Sequence, residues 1–314
     1  MSPHVYDIPM RVRFRGQVRR VGALIKGPAG WGEFSPFPEY DATVSARWLA
    51  AAQEAASTGW PEPVRKSVPV NTTVPAVGPE QAHAMVTAAG CRTAKVKVAE
   101  VGQRLADDIA RVEAVRDALG PEGALRIDAN AGWELDAATE ALRALSRFDL
   151  EYAEQPVRSL EDMALLRRRV DVRLAADESV RTAADPMRVA GLEAADVVVL
   201  KVQPLGGVRS CLAVAEACGL PVVVSSAVET SVGIAAGVAL AAALPELPFA
   251  CGLGTVTLLA GDVCADPLIP VDGQLVVRPV APDPAELARH CATDATCREW
   301  QQRIDDAQAV LDAG

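Results

Sequence analysis

Five short charged clusters carry side chains suited to chemistry: Lys95-Val96-Lys97, Asp128-Ala129-Asn130, Glu154-Gln155-Pro156, Asp177-Glu178-Ser179 and Lys201. Each ends or follows a short run of the kind that forms a strand. Successive side chains of a strand point to opposite faces, so Lys95 and Lys97 share a face, as do Asp128 and Asn130. Asp128, Glu154 and Asp177 then end three successive strands, about 4.8 Å apart. Three anions this close repel strongly unless a cation neutralises them. An all-oxygen set suits Mg²⁺, with Mn²⁺ as substitute. One acid alone would read as a helix N-cap, which suits Asp177 and Ser179; three in register read as metal ligands.

The lysines complete the pattern. Lys97 and Lys201 fall on strands that face each other across an eight-stranded barrel, with the acid-bearing strands between them. A bound cation and Lys95 both disfavour protonation of Lys97, as a general base requires. The competing reading of Lys-x-Lys is a solvated strand end, but lysine is rarely placed inside an apolar run without cause. A metal next to a carboxylate substrate stabilises the enediolate formed when the adjacent carbon loses a proton. The residues themselves reach this far: metal-assisted proton abstraction α to a carboxylate.

The elements that must position these groups follow a repeat. Eight short runs, at 68–74, 94–98, 125–129, 150–153, 172–176, 197–201, 221–225 and 249–253, alternate with amphipathic stretches such as 103–119. Residues 128, 154, 177 and 201 are separated by 26, 23 and 24 positions, a regular βα spacing. Parallel strands with right-handed crossovers, eight times over, make a barrel with its site at the C-terminal strand ends. A doubly wound open sheet is the alternative, but no glycine-rich phosphate loop follows an early strand. Residues 1–66 differ: two alternating runs around Gly16 predict a hairpin, a Gly/Pro-rich stretch spans 27–38, and Asp41 caps a helix to about residue 57. Pro61 and Pro63 mark a boundary. The tail holds a strand-like piece at 274–278 and a polar helix.

Composition narrows the function. The 314 residues are 50% hydrophobic, carry a net charge of −10 and are only 4% aromatic, which argues against nucleic acid as partner. The histidines, His4, His83 and His290, lie beside no catalytic cluster. Seven cysteines without a CxxC pair, and no apolar leader, predict a reduced cytoplasmic protein. The longest apolar stretch, 232–244, is too short to span a bilayer, so no membrane association is expected. Oligomeric state is left open, with a monomer as the default.

The ordered set Lys-x-Lys, Asp128-Ala-Asn, Glu154-Gln-Pro, Asp177-Glu-Ser and Lys201 resembles the enolase superfamily and, within it, the muconate-lactonizing-enzyme subgroup, over roughly residues 1–280. The resemblance implies a (β/α)₇β modified TIM barrel over 67–279 and a small α+β capping domain over 1–66, completed by about 280–314. The stretches 225–233 (SSAVETSVG) and 251–255 (CGLGT) resemble the subgroup's dehydrating lyases of menaquinone biosynthesis. Its dipeptide epimerases carry an Asp-x-Asp at strand eight, where this chain has Gly252-Leu253-Gly254.

Carried over, the resemblance implies Mg²⁺ on Asp128, Glu154 and Asp177, Lys97 as the base, and Lys201 as electrostatic stabiliser of the intermediate. Lys95, Ser225, Ser226 and Gly254 would bind a small anionic carboxylate substrate. Asn130 and Glu178 would orient the ligands. Arg11, Arg13, Arg15, Arg19 and Arg20 read either as a charge-protected hairpin edge or as a steering patch for an anion. An N-acylamino-acid racemase of the same subgroup would need the same two lysines. A non-catalytic metal-bound barrel would need neither.

Overall fold

The chain begins with an antiparallel sheet of three strands, β1 (His4–Phe14), β2 (Gln17–Gly27) and β3 (Gly30–Phe34), in that spatial order. The computed structural model describes residues 3–182 and 188–313. The β1–β2 turn uses Arg15 and Gly16 at positive φ, 49° and 76°, which the glycine makes inexpensive. Strand β3 falls in the stretch expected to be irregular. Its glycines hid it: a Cβ on Gly32 would stand 1.9 Å from the Ala52 carbonyl oxygen. Glycine here lets the strand lie directly against α1 (Ala42–Ser57). Asp41 caps that helix as expected, accepting from the Val44 amide at 2.9 Å.

Strands and helices then alternate. The order is β4 (Ser67–Pro69), β5 (Thr72–Val74), α2 (Pro79–Ala89), β6 (Thr93–Lys97), α3 (Leu105–Leu119), β7 (Ala124–Asp128), α4 (Leu135–Leu145), β8 (Leu150–Glu154) and α5 (Leu160–Arg167). It continues with β9 (Leu174–Ala176), α6 (Glu178–Thr182), α7 (Arg188–Gly191), β10 (Val197–Lys201), α8 (Val202–Leu205), α9 (Val208–Cys218), β11 (Val222–Ser225) and α10 (Ser231–Ala243). Strands β5 to β11 form one parallel sheet in sequence order. Two of the eight expected runs come out differently. The first splits: β4 leaves the barrel wall to pair antiparallel with β12 (Gln274–Val276). The eighth forms no strand of its own. It closes the sheet through bridges, with Cys251 accepting from the Asn71 amide at 2.9 Å and donating to the Pro69 carbonyl at 2.7 Å, and the Gly252 amide reaching the Val224 carbonyl at 2.8 Å. A 3-10 turn (Gly254–Leu258) follows in place of an outer helix.

Strand alternation fills the barrel. Tyr152, Val197, Val199, Val223 and Phe249 pack inward. Arg126, two residues before Asp128 and wholly buried, stacks 4.8 Å from the Tyr152 ring centre and binds Glu151 at 2.5 Å and the Ala250 carbonyl at 2.6 Å. The polar end of the interior is thereby left to the residues above it. The tail, α11 (Pro284–Arg289) and α12 (Asp294–Ala313), returns to the first sheet. Trp300 and Ala307 share a core with Val5, Phe34 and Trp48. Among the described residues no helix is long and apolar enough to cross a membrane; α10, the long apolar stretch, is buried.

Candidate active site

The strand-end acids and lysines stand together in register. Lys97 pairs with Asp128 across β6–β7, and Asp128 with Glu154 across β7–β8. Asp177 follows β9 directly, and Lys201 ends β10. All five side chains are buried, as is Lys95.

Their charges are balanced from within. Lys95 Nζ lies 2.7 Å from Glu154 Oε2 and 3.3 Å from Asp128 Oδ2, and Lys201 Nζ lies 2.6 Å from Asp177 Oδ2. Arg181 adds Nη2 at 3.2 Å from Asp177 and 2.6 Å from Glu178. Chain cations thus meet part of the demand that the sequence assigned to a metal alone. Among the described residues no three acid, histidine or cysteine side chains are gathered as a ready metal-binding group. Two carboxylate oxygens at the centre, Glu154 Oε1 and Asp177 Oδ1, are nevertheless buried without a hydrogen-bond partner. A buried carboxylate oxygen left so is costly. Hard oxygen donors on adjacent strand ends fit a small divalent cation.

The titration directions follow from position. Burial pushes the Glu154 carboxyl up, and despite Lys95 it settles at about 7, helped upward by Asp128 and Asp177. Burial also opposes ionisation of Asp128, but Lys95, Lys97 and Lys201 overcome it and hold the carboxyl below its usual range. Asp177 is held lower still, because Arg181 and Lys201 outweigh its burial. Burial works against the Lys95 ammonium, yet Asp128 and Glu154 raise it above the ordinary lysine value.

Backbone geometry fixes these groups. Asn130 and Gln155 hold positive φ values of 42° and 37°, uncommon for residues with side chains and typical of over-determined functional turns. The Asn130 amide donates to Asp128 Oδ1 at 3.0 Å. Its side chain accepts from Lys97 Nζ and donates to Glu178 Oε1 at 3.1 Å. Gln155, wholly buried, accepts from the amides of Asp177 and Ser179 at 3.0 and 3.1 Å and donates to Ser179 Oγ at 2.7 Å.

Lys95, Asp128, Asn130, Lys201, Ser225 and Ser226 line one cavity at the barrel mouth, with Thr73, Gly252 and Thr255. Gly254 is not in that lining: it begins the 3-10 turn against the Asn71 carbonyl. Ser226 Oγ donates to the Gly252 carbonyl at 2.7 Å and meets Thr255 Oγ1 at 2.9 Å. Phe14, Arg15 and Phe37 cover the cavity, and Phe14 and Arg15 separate it from a neighbouring cleft lined by Lys97. The space left beneath this cover is small, about 30 Å³.

The basic hairpin divides rather than acting as one patch. Arg15 sits over the Phe37 ring at 4.5 Å and reaches Tyr40 Oη at 3.2 Å. Arg20 is buried and holds the Val228 carbonyl at 3.0 Å. Arg11 binds the Leu259 carbonyl at 2.9 Å and Arg19 pairs with Asp7 at 2.7 Å. Sequence reasoning missed Arg181, whose i, i+4 spacing from Asp177 was a readable signal. It also missed Glu33, because the contact is made across the fold. Glu33 accepts from Tyr6 Oη at 2.7 Å and from the Gly233 amide at 3.0 Å, at the start of α10. All seven cysteines are free thiols.

The capped parallel barrel with an acid–lysine ring at its mouth defines an enolase-type enzyme. Residues 5–56 match the family described as Enolase N-terminal domain-like, and 79–282 match Enolase C-terminal domain-like. The chain belongs to the enolase superfamily, whose enzymes generally depend on a divalent metal. It is 61% identical over 310 residues to the o-succinylbenzoate synthase of Thermobifida fusca, covering 99% of this chain and 97% of that protein. It is 52% identical to the o-succinylbenzoate synthase of Mycolicibacterium smegmatis, covering 98% of this chain and 95% of the relative. Among solved structures it resembles muconate lactonizing enzyme from Pseudomonas fluorescens complexed with muconolactone, with a TM-score of 0.81 and 22% identity, over 93% of this chain and 98% of the other.

Proposed function

We propose that the protein is a lyase that removes water from 2-succinyl-6-hydroxy-2,4-cyclohexadiene-1-carboxylate to give o-succinylbenzoate, in menaquinone biosynthesis. The observation that carries this reading is the 61% identity across almost the whole length of a protein named o-succinylbenzoate synthase. The absence of acids at Gly252-Leu253-Gly254 agrees with an anionic substrate that has no ammonium to be held.

Asp128, Glu154 and Asp177 would hold the cation, which we take to be Mg²⁺. When bound it supplies positive charge for the substrate carboxylate as that group takes up a second negative charge. Lys97 removes the α-proton and delivers it to the departing hydroxyl on the same face. The Asn130 side-chain carbonyl accepts from Lys97 Nζ and orients it, and Glu178 accepts from the Asn130 side-chain amide nitrogen. Lys201 faces the dianion from the opposite wall and offsets its charge, with cation–π attraction as the ring becomes aromatic. Lys95 pairs with both Glu154 and Asp128 and offsets part of their mutual repulsion, and Ser225 and Ser226 line the site toward the succinyl arm. Residues 67–279 would carry the reacting groups, and residues 1–66 with about 280–314 would form the cap that excludes water. The two segments' shared core supports this division. The free thiols agree with a cytoplasmic enzyme; we take it to act as a monomer.

The test is incubation of the protein and Mg²⁺ with the cyclohexadiene, followed by ultraviolet absorbance. The reading requires an aromatic product with the mass of o-succinylbenzoate. Unchanged substrate after incubation with folded, metal-loaded protein contradicts it.

A further inference from the structure

Arg181, on α6, is neither one of the strand-end acids nor one of the lysines, yet it touches both halves of the site. Its Nη2 donates to Asp177 Oδ2 at 3.2 Å and to Glu178 Oε1 at 2.6 Å. The first contact bears on a candidate metal ligand. Arg181 and Lys201 together take up Oδ2 of Asp177, while Oδ1 is left without a hydrogen-bond partner. The second contact bears on the base. Glu178 Oε1 also accepts from Asn130 Nδ2, and Asn130 Oδ1 accepts from Lys97 Nζ.

The other edge of the guanidinium turns to the N-terminal segment. Nη1 donates to Tyr40 Oη at 3.2 Å. The same phenol oxygen accepts from Nη2 of Arg15 at 3.2 Å, on the hairpin that covers the cavity. Arg47 of α1 donates to the Arg181 carbonyl at 2.9 Å and steadies the backbone of α6. The Arg181 side chain is 5% exposed, and its Nε is buried without an acceptor. A buried ion pair adds little net stability, and an unpartnered buried donor costs some. Stability of the fold is therefore a weak reason for a guanidinium here. A planar fork that holds two carboxylates at a fixed angle is a better one.

We propose that Arg181 is a positioning residue for the reaction: its fork sets Asp177 for the cation and, through Glu178 and Asn130, sets Lys97 for the α-proton, with Tyr40 bracing it from the N-terminal segment. The inference rests on the metal-and-base reading given above. It concerns geometry more than charge. A lysine would keep the charge, but a single ammonium cannot span Asp177, Glu178 and Tyr40 in one plane.

The test compares unaltered full-length protein with Arg181→Lys and Tyr40→Phe. Mg²⁺ is titrated by calorimetry into each chelator-treated protein without substrate, and kcat and KM for the cyclohexadiene are then measured at saturating Mg²⁺. Arg181→Lys should bind Mg²⁺ at least about tenfold more weakly, the usual cost of losing a group that orients a metal ligand. Its kcat should fall by at least about tenfold while KM stays within about threefold. Tyr40→Phe keeps the ring and should move Mg²⁺ affinity and kcat in the same direction by about fivefold, for one lost hydrogen bond. A merely structural role would lower Tm and leave both quantities in place. If Arg181→Lys does not fold, Tyr40→Phe decides on the same two quantities. The proposal is overturned by unaltered Mg²⁺ affinity in the folded variants, by a kcat within about threefold of the unaltered protein in Arg181→Lys, or by no Mg²⁺ binding to the unaltered protein. Unaltered protein that binds Mg²⁺ but leaves the cyclohexadiene unchanged counts against the lyase reading alone, and the calorimetric comparison then judges Arg181.

Discussion

Glu229 offers a test in which the structure supplies both sign and size. Its carboxyl is 3% exposed, accepts from the Ala227 amide at 2.7 Å and lies at the start of α10. Burial, reinforced by the neighbouring Glu33, pushes it up to about 7, with only Arg20 and local amides opposing. Glu33 is engaged with Tyr6, Ser35 and Thr230, and Arg20 spends its donors on Val228 and Ser35. Asp262 adds another anion at the same helix end through the Ser231 amide. The folded protein therefore keeps a proton on Glu229 between about pH 4.5 and 7, where the unfolded chain has released it. Stability from this group is full below about pH 4.5, falls as pH rises through the window, and is lost above about 7. A displacement of roughly two and a half pH units corresponds to about 3 kcal/mol. Glu229→Gln keeps the shape and cannot ionise. It should raise Tm by about 4 °C at pH 8 and by little at pH 5, given the unfolding entropy of a chain this long. Thermal melts at both pH values measure this. An equal shift at pH 5 and pH 8, or a loss at both, refutes the reasoning.

Other expectations follow from single residues. Lys97→Ala should lose at least about a hundredfold in turnover, the usual contribution of a general base; a variant retaining more than about a hundredth of activity would reject Lys97 as the base. Lys201→Ala should also cost several orders of magnitude in turnover, read from the same absorbance assay. Mg²⁺ should raise Tm of chelator-treated protein in proportion to the logarithm of its concentration above Kd, and Asp128→Asn should reduce that rise while the protein stays folded. Gly32→Ala should unfold or strongly destabilise the protein, because the new methyl would meet the Ala52 carbonyl at 1.9 Å; a normal melting curve would contradict this.

The barrel was legible because its signal is local and repeated. Runs such as 197–201 carry β-branched residues next to a charged end, and the structure places β10 on the same five positions. The acids and lysines were legible for the same reason, since period-two alternation fixes their face before any tertiary contact forms. Pairings between distant segments were not legible. β4 turns away from the wall to meet β12, 205 or more positions later, and nothing in the sequence 67–74 marks the break. The eighth wall is made by two bridged residues, Cys251 and Gly252, too few for a propensity signal. Arg20 alternates with its neighbours like any edge residue, yet it is buried because Val228 and Ser35 present carbonyls to it. The carboxylates' partners were half legible: the sequence puts the lysines at strand ends, but their direct ion pairs with Glu154 and Asp177 emerge only in three dimensions.

Dehydration and racemisation make different demands on the two lysines, and one experiment in D₂O separates them. Elimination needs one base, Lys97, on one face; racemisation needs Lys97 and Lys201 each to exchange a proton. The metal-loaded protein should be given the cyclohexadiene and, separately, an N-succinylamino acid, with aromatic absorbance followed in the first case and α-deuterium by NMR in the second. Rapid formation of o-succinylbenzoate with little or no α-deuterium is the predicted result. Efficient deuterium exchange alongside slow dehydration would contradict the assignment and identify a racemase instead.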